Sequence, residues 1–258
     1  MDVSRPEFVP DPSLSRAEME ALQREIAAAA RFADDLDGPL DDRSTDDDRF
    51  GGLTRDRRPL VAGVDQGFSG DTATSAVVAV RDGAVVERVH ASEKTEIPYI
   101  PGLLSFREGG AIFSAFEELE SDPDVVLADG SGRIHFREAG LATHVGVTLD
   151  VPTVGVAKSL LCGRPREPIE GGLPAGTRVA VEADEDVTAP DGTVIGYTVQ
   201  TRQYESPDRH INPLYVSPGH RVDAETAADL VARYATEYKL PEPVRLADRH
   251  ADDVIDRG

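Results

Sequence analysis

The sequence predicts an α/β fold: a mixed sheet flanked by helices, antiparallel in its first three strands and alternating strand with helix thereafter. Two observations carry this. Residues 60–66, 73–80 and 84–91 are rich in Val and Ala and are separated only by Ser69-Gly70-Asp71 and Asp82-Gly83, short enough for hairpin turns. Further along, the apolar runs at 124–129 and 153–156 each follow a stretch of helical spacing, 109–120 and 137–148. That alternation implies parallel strands joined by crossover helices.

The remaining elements fall around this core. Residues 13–36 read as a helix, opened by a capping box at Ser15-Arg16-Ala17-Glu18 and carrying Met19, Leu22, Ile26, Ala29 and Ala30 at helical spacing. The stretch from Gly38 to Asp48 is dense in Asp, lacks an apolar period and reads as a linker. Residues 178–181 and 193–201 form a second hairpin around Asp191-Gly192, residues 214–216 a short strand, and Asp223 caps a final helix running to about Tyr238. The expected organisation is an N-terminal helix with an acidic linker over 1–57 and a catalytic domain over 58–258. An antiparallel trio leading into alternating β and α is the order of the ribonuclease H-like fold, whose first and fourth strands set their carboxylates side by side.

Composition at first argues against a polyanionic partner. The formal net charge is −21 and the pI about 4.6, the reverse of the basic footprint of a nucleic-acid binder. The cations are lopsided, however: only Lys94, Lys158 and Lys239 are lysines. An acidic, lysine-poor surface fits a salt-rich cytoplasm, where screening shortens to about 3 Å at 1 M and counter-ion release drives binding poorly. The acid excess therefore describes habitat more than partner. The single cysteine, Cys162, excludes an intramolecular disulfide and a Cys-rich zinc site. Met1 to Pro12 has no signal-peptide pattern, and no apolar run nears the roughly 20 residues of a membrane span, so a soluble, cytoplasmic monomer is expected.

The chemistry concentrates between Asp65 and Lys158. Asp65 ends the apolar run Val61-Ala62-Gly63-Val64, and Asp129 ends Val125-Val126-Leu127-Ala128. A lone Asp there can simply cap a turn; two at the ends of neighbouring buried strands suit a divalent metal, since unpaired acids are costly to bury. Mg²⁺, with Mn²⁺ as the alternative, takes hard oxygen ligands and keeps several waters, so two or three carboxylates suffice. Glu108 follows Phe106-Arg107 at the expected start of a helix, where an acid can also serve only the helix dipole. Lys158 is delivered by Val154-Gly155-Val156-Ala157, and its ammonium suits phosphate as a point charge. Tyr99 stands between Pro98 and, beyond Ile100, Pro101, which stiffens the backbone and holds the ring forward at a loop tip. The Gly130-Ser131-Gly132 turn, with Pro101-Gly102-Leu103, allows close approach of a ligand and reads as a pocket wall whose N–H groups can bind polar atoms; no Gly-Lys-Ser/Thr follows, so it is not a phosphate-binding P-loop. His220 follows Pro218-Gly219, a turn able to bring an imidazole to the site, whereas His90 and His144 read as structural.

From Arg58 to Asp248 the chain resembles the endonuclease V family of deoxyinosine-directed repair nucleases. The motifs that carry the resemblance are Gly63-Val64-Asp65, Pro98-Tyr99-Ile100-Pro101-Gly102, Leu104-Ser105-Phe106-Arg107-Glu108, Ala128-Asp129-Gly130-Ser131-Gly132, Gly140-Leu141-Ala142-Thr143-His144, Pro152 through Ser159, and Val216-Ser217-Pro218-Gly219-His220-Arg221, in that order. The resemblance implies that Asp65 and Asp129 bind metal and Glu108 completes its shell. It places His220 beside the metal, Lys158 near the cleaved phosphate and Tyr99 as the wedge. Pro98, Ile100, Gly102, Gly130 and His135 then touch substrate, and Asp124 lies near the site. The implied reaction is Mg²⁺-dependent cleavage of the second phosphodiester bond 3′ to deoxyinosine in DNA, leaving 3′-hydroxyl and 5′-phosphate ends. Inosine-containing RNA is the alternative substrate, separated only by 2′-hydroxyl contacts. The chain departs from the family's usual pattern at Asp65-Gln66-Gly67-Phe68, where hydroxyl-bearing residues are common, and at His135-Phe136-Arg137, where a proline is usual.

Overall fold

A computed structural model describes residues 1–36, 58–95, 97–169, 172–205 and 209–257. The linker read at Gly38 to Asp48 lies outside the described residues. Among those described, a nine-stranded sheet runs in the order β3-β2-β1-β4-β5-β9-β8-β7-β6, in which β6 is Arg164–Pro165 and β7 is Arg178–Glu182. Its first hairpins are β1 (Val61–Ser69), β2 (Thr72–Arg81) and β3 (Ala84–Lys94), all antiparallel. The β2–β3 turn places both Asp82 (φ 57°) and Gly83 (φ 72°) in the left-handed region, the geometry that matches strand twist in a two-residue hairpin. Next to β1 lies β4 (Val125–Asp129), and beyond it β5 (Thr153–Ala157), both parallel to β1 in direction. The mixed sheet with helices on both faces is the fold the sequence predicts.

Four features differ in detail. Helix α1 covers Arg16–Ala29, shorter than 13–36, although its capping box forms as read: the Ser15 N–H donates to Glu18 Oε2 at 2.8 Å, and Ser15 Oγ accepts from the Glu18 N–H. Helix α2 covers Leu104–Glu117, so Glu108 sits in its second turn rather than at its start. Strand β9 (Leu214–His220) is longer than 214–216 and pairs antiparallel with β5 and with β8 (Val194–Val199). Helix α4 (Ala224–Tyr234) is not the final one: after Pro241 the chain turns into α5, Glu242–Ile255.

The two faces of the sheet carry separate cores. On one, Ile112, Phe113 and Phe116 of α2 and Leu141, Val145 and Leu149 of α3 (Leu141–Leu149) pack on Ala62, Val64, Val77 and Val126. On the other, α4 and α5 bury Leu230, Val231 and Val244 against Val61, Leu127, Val154 and Val216. Burial of each such large aliphatic or aromatic side chain stabilises by about 1.5–3 kcal/mol. The N-terminal segment packs on the first face: the Ser4 and Arg5 N–H groups donate to Thr148 O, and Phe8 O is bonded to the His144 ring at 2.6 Å. Cys162 is buried in a small third cluster with Ile134, Val181 and Ile195, and burial pushes its thiol up to about 12. Among the described residues, no helix is long and apolar enough to cross a membrane.

Candidate active site

The parallel register of β1 and β4 brings the acids together. Val61 stands opposite Val125 and Val64 opposite Ala128; one residue beyond that last pair come Asp65 and Asp129. Asp129 in turn pairs with Val156 of β5, whose end delivers Lys158. The third carboxylate comes from a residue that sequence reasoning passed over. Asp248, on α5, joins Asp65 and Asp129 in a trio whose ligand oxygens all lie within 4.8 Å of one another. It is placed there by close packing of α5 on β1: the ideal Cβ position at Gly63 falls 2.1 Å from the backbone of Pro243. A helix signal was present, with Pro241 ahead of Val244, Ala247 and Ala251 at helical spacing, but the expected last helix stopped at Tyr238.

These acids sit at the floor of a cleft of about 360 Å³, lined also by Gln66, Leu104, Gly130, Lys158 and Asp252. Burial, and then the charge of Asp129, raise the Asp65 carboxyl to about 8. Glu108, read from the sequence as completing the metal shell, falls outside the trio. It is 6 % exposed, and burial followed by the Asp129 charge lifts it to about 7; its Oε2 is buried and has no hydrogen-bond partner. Lys158 Nζ donates to Asp129 Oδ2 at 2.6 Å and lies 3.9 Å from Asp248. Burial pulls its ammonium down, but that hydrogen bond and the surrounding carboxylates outweigh it and hold the pKa above the ordinary value. Three convergent carboxylates, a fourth with an orphaned oxygen, and one ammonium serving as counter-charge make a donor set that fits a hard divalent cation.

Of the residues read from the sequence as touching substrate, Gly130 lines the cleft, and Gly102 and His135 lie against each other. Tyr99 projects with 67 % of its surface exposed, flanked by exposed Pro98 and half-buried Ile100. Gly102 is buried behind them at φ 79°, and His135 Nε2 lies 3.0 Å from its carbonyl oxygen. His135 is itself buried, which lowers its imidazole to about 4 and keeps it neutral. Arg107 braces the loop, donating to Ile97 O at 2.9 Å and lying over the Phe68 ring.

Three expectations are corrected. His220 is not brought to the carboxylates. It pairs with Thr153 at the start of β5, the opposite end of that strand from Lys158, where Nδ1 accepts the Arg31 N–H and Nε2 meets Asp150 at 3.1 Å. The extra length of β9 carries it away from the turn that the sequence implied. Asp124 precedes β4, at the other end from Asp129, and accepts the Leu60 N–H at 2.6 Å, tying down the entry to β1. The Gly130-Ser131-Gly132 turn lines the cleft through Gly130, but two of its N–H groups are already engaged, Gly130 with Val156 O and Gly132 with Ser217 Oγ. Gln66 was also passed over; its Nε2 donates to Asp129 O at 3.2 Å while its Oε1 is buried without a partner beside the cleft.

Comparison with known proteins shows the family. The family model described as Endonuclease V matches residues 51–249. A curated Endonuclease V of the haloarchaeon Haloarcula marismortui is 63% identical over 259 residues, covering 96% of each chain. Among solved structures, the Endonuclease V of Streptomyces avermitilis superposes with a TM-score of 0.76 at 26% identity, covering 100% of this chain and 99% of its own. That of Ciona intestinalis, in complex with a 24mer DNA containing an inosine followed by a ribo-adenosine, superposes at 0.69 with 25% identity, covering 93% and 98%. A parallel pair of strands ending in two aspartates, a third acid folded back onto them and a match across the catalytic body lead to one conclusion: this chain is an endonuclease of the endonuclease V family.

Proposed function

We propose that this protein cuts DNA at the second phosphodiester bond 3′ to a deoxyinosine, leaving 3′-hydroxyl and 5′-phosphate ends, with Mg²⁺ as its metal. The observation that carries the reading is the trio Asp65, Asp129 and Asp248 beside Lys158 at the floor of an open cleft. Those three carboxylates would hold the ion, which when bound polarises the phosphoryl oxygen and favours ionisation of the attacking water. Lys158, half exposed, neutralises a non-bridging phosphate oxygen as a point charge. Glu108, buried beside Asp129 with its Oε2 unpartnered, would complete the shell of the ion, as the resemblance implies. The exposed Tyr99 ring enters the stack beside the extruded base, compensating an unstacking cost of a few kcal/mol. The base itself rests against Gly102, Gly130 and the His135 segment. The protein acts as a cytoplasmic monomer, with residues 58–258 as its catalytic domain.

A second reading has one observation in its favour: the Ciona relative was captured on a strand carrying a ribo-adenosine after its inosine. RNA containing inosine is therefore the competing substrate. Matched DNA and RNA oligonucleotides, each with one inosine, should be incubated with Mg²⁺ at high salt and the products sized and ligated. A DNA product one nucleotide longer than a cut directly 3′ to inosine, bearing a ligatable 5′-phosphate, is the expected result. Faster cleavage of the RNA would transfer the assignment to it, and equal cleavage of unmodified strands would remove inosine from the reading.

A further inference from the structure

Gln23 lies on α1, away from the cleft, and is 1 % exposed. A buried amide must find partners for both its ends. Those it finds belong to the two segments assigned above to the substrate. Nε2 donates to the Gly102 carbonyl at 2.7 Å and to the Ala139 carbonyl at 3.4 Å, while Oε1 accepts from Arg137 Nη1 at 3.1 Å. Arg137 is also paired with Glu20, one turn earlier on the same helix, at 2.9 Å.

The Gly102 carbonyl takes a second donor. His135 is held neutral, and its Nδ1 accepts the Arg137 N–H at 3.2 Å, so the proton resides on Nε2 and is donated to Gly102 O at 3.0 Å. Gly102 is the third residue of a tight turn. The Leu103 N–H donates to Ile100 O at 3.0 Å, Pro101 holds the second position, and the positive φ of Gly102 makes it a type II turn. Tyr99 is the residue immediately before that turn. Two donors on the Gly102 carbonyl therefore fix the plane from which the Tyr99 ring departs. Beneath the turn, Met19 and Leu22 of α1 pack with Ile97, Ile100 and Leu103.

We propose that Gln23 is a positioning residue for base recognition: it bolts the Tyr99 turn to the 135–139 segment so that the wedge and the pocket wall move as one body. The proposal rests on the reading of Tyr99 as the wedge. Gln23→Glu tests it selectively. The variant keeps an acceptor for Arg137 and adds charge to that contact, but it sets an acceptor against the Gly102 carbonyl where a donor stood.

Steady-state cleavage of inosine duplex and of its adenine counterpart should be measured in molar KCl with Mg²⁺, alone and in a Tyr99→Ala background, with circular dichroism in parallel. Gln23→Glu should raise KM for the inosine duplex by about tenfold and narrow discrimination to match, with a smaller fall in kcat, as expected when a buried bond is removed. With Tyr99→Ala present it should add less than about twofold, because its effect passes through that ring. Unchanged discrimination in Tyr99→Ala alone would remove the wedge reading. Impaired discrimination there with an unaltered KM in Gln23→Glu would overturn the positioning role. So would additive losses, or a fall in kcat alone. Should Gln23→Glu fail to fold, Gln23→Met is read in the same way, and failure of both assigns Gln23 to the core instead.

Discussion

Two carboxyls hold their protons into the neutral range, Asp65 to about 8 and Glu108 to about 7, chiefly because they are buried. A metal must displace such protons, so its affinity depends on pH. The metal-free fold binds these protons more tightly than the unfolded chain does. Its stability from these groups is therefore greatest below ordinary carboxylate values and is lost as pH rises through about 7 to 8. Bound metal removes that loss. Thermal melts with chelator and with Mg²⁺ should show a gap that widens from about pH 6 to pH 8.5; a constant gap would place the raised protons elsewhere. Side-chain substitutions separate the acids from the histidine. Asp129→Asn, Asp65→Asn and Asp248→Asn should each lower Mg²⁺-dependent cleavage by at least about 100-fold with the fold retained, since an amide holds Mg²⁺ poorly. His220→Ala should instead lose about 1–3 kcal/mol of stability, the cost of emptying the place of a buried imidazole and removing its two hydrogen bonds, while metal binding persists. Wild-type cleavage by Asp248→Asn would remove it from the trio.

At the scale of elements, the site depends on how α5 lies across β1. Gly63 leaves room for the Pro243 backbone, and a Cβ there would overlap it at 2.1 Å. Gly63→Ala should therefore lift α5, losing about 1–3 kcal/mol of stability and weakening Mg²⁺ binding together. Titration calorimetry alongside a melt checks this, and a stable variant with intact affinity would show that the helix has slack. The same helix marks the limit of what the sequence made legible. Strands β1, β4 and β5 were readable because each is a short apolar run between turn residues, and the pairing of Asp65 with Asp129 follows from their parallel register. Asp248 was not, because its helix is short of large apolar residues: Ala247 and Ala251 provide much of its buried face. His220 misled for the opposite reason. The Pro218-Gly219 pair reads as a turn, yet in β9 it continues the strand past a register shift, with Pro218 opposite Val154.

Across the whole molecule, the net charge of −21 sets how the protein meets a polyanion. In dilute buffer the surface carboxylates repel one another and the phosphate backbone, because screening is weak. A typical nucleic-acid binder loses affinity as salt rises; this one should keep or gain cleavage rate from low to molar KCl, as screening relieves repulsion and firms the fold. Rates across that range, with circular dichroism alongside, decide the matter. A rate highest in dilute buffer and falling steadily with KCl would leave the acidity unexplained.

The acids of the trio are held by two different kinds of constraint. Asp65 and Asp129 are fixed by the backbone register of neighbouring strands, which cannot slide without turning their side chains to the other face. Asp248 is fixed only by the packing of a helix on that sheet, at a contact as close as Gly63 allows. The trio therefore has two rigid members and one whose place is set by side-chain fit, so disturbance of the helix contact should part the third acid from the other two before the sheet itself yields.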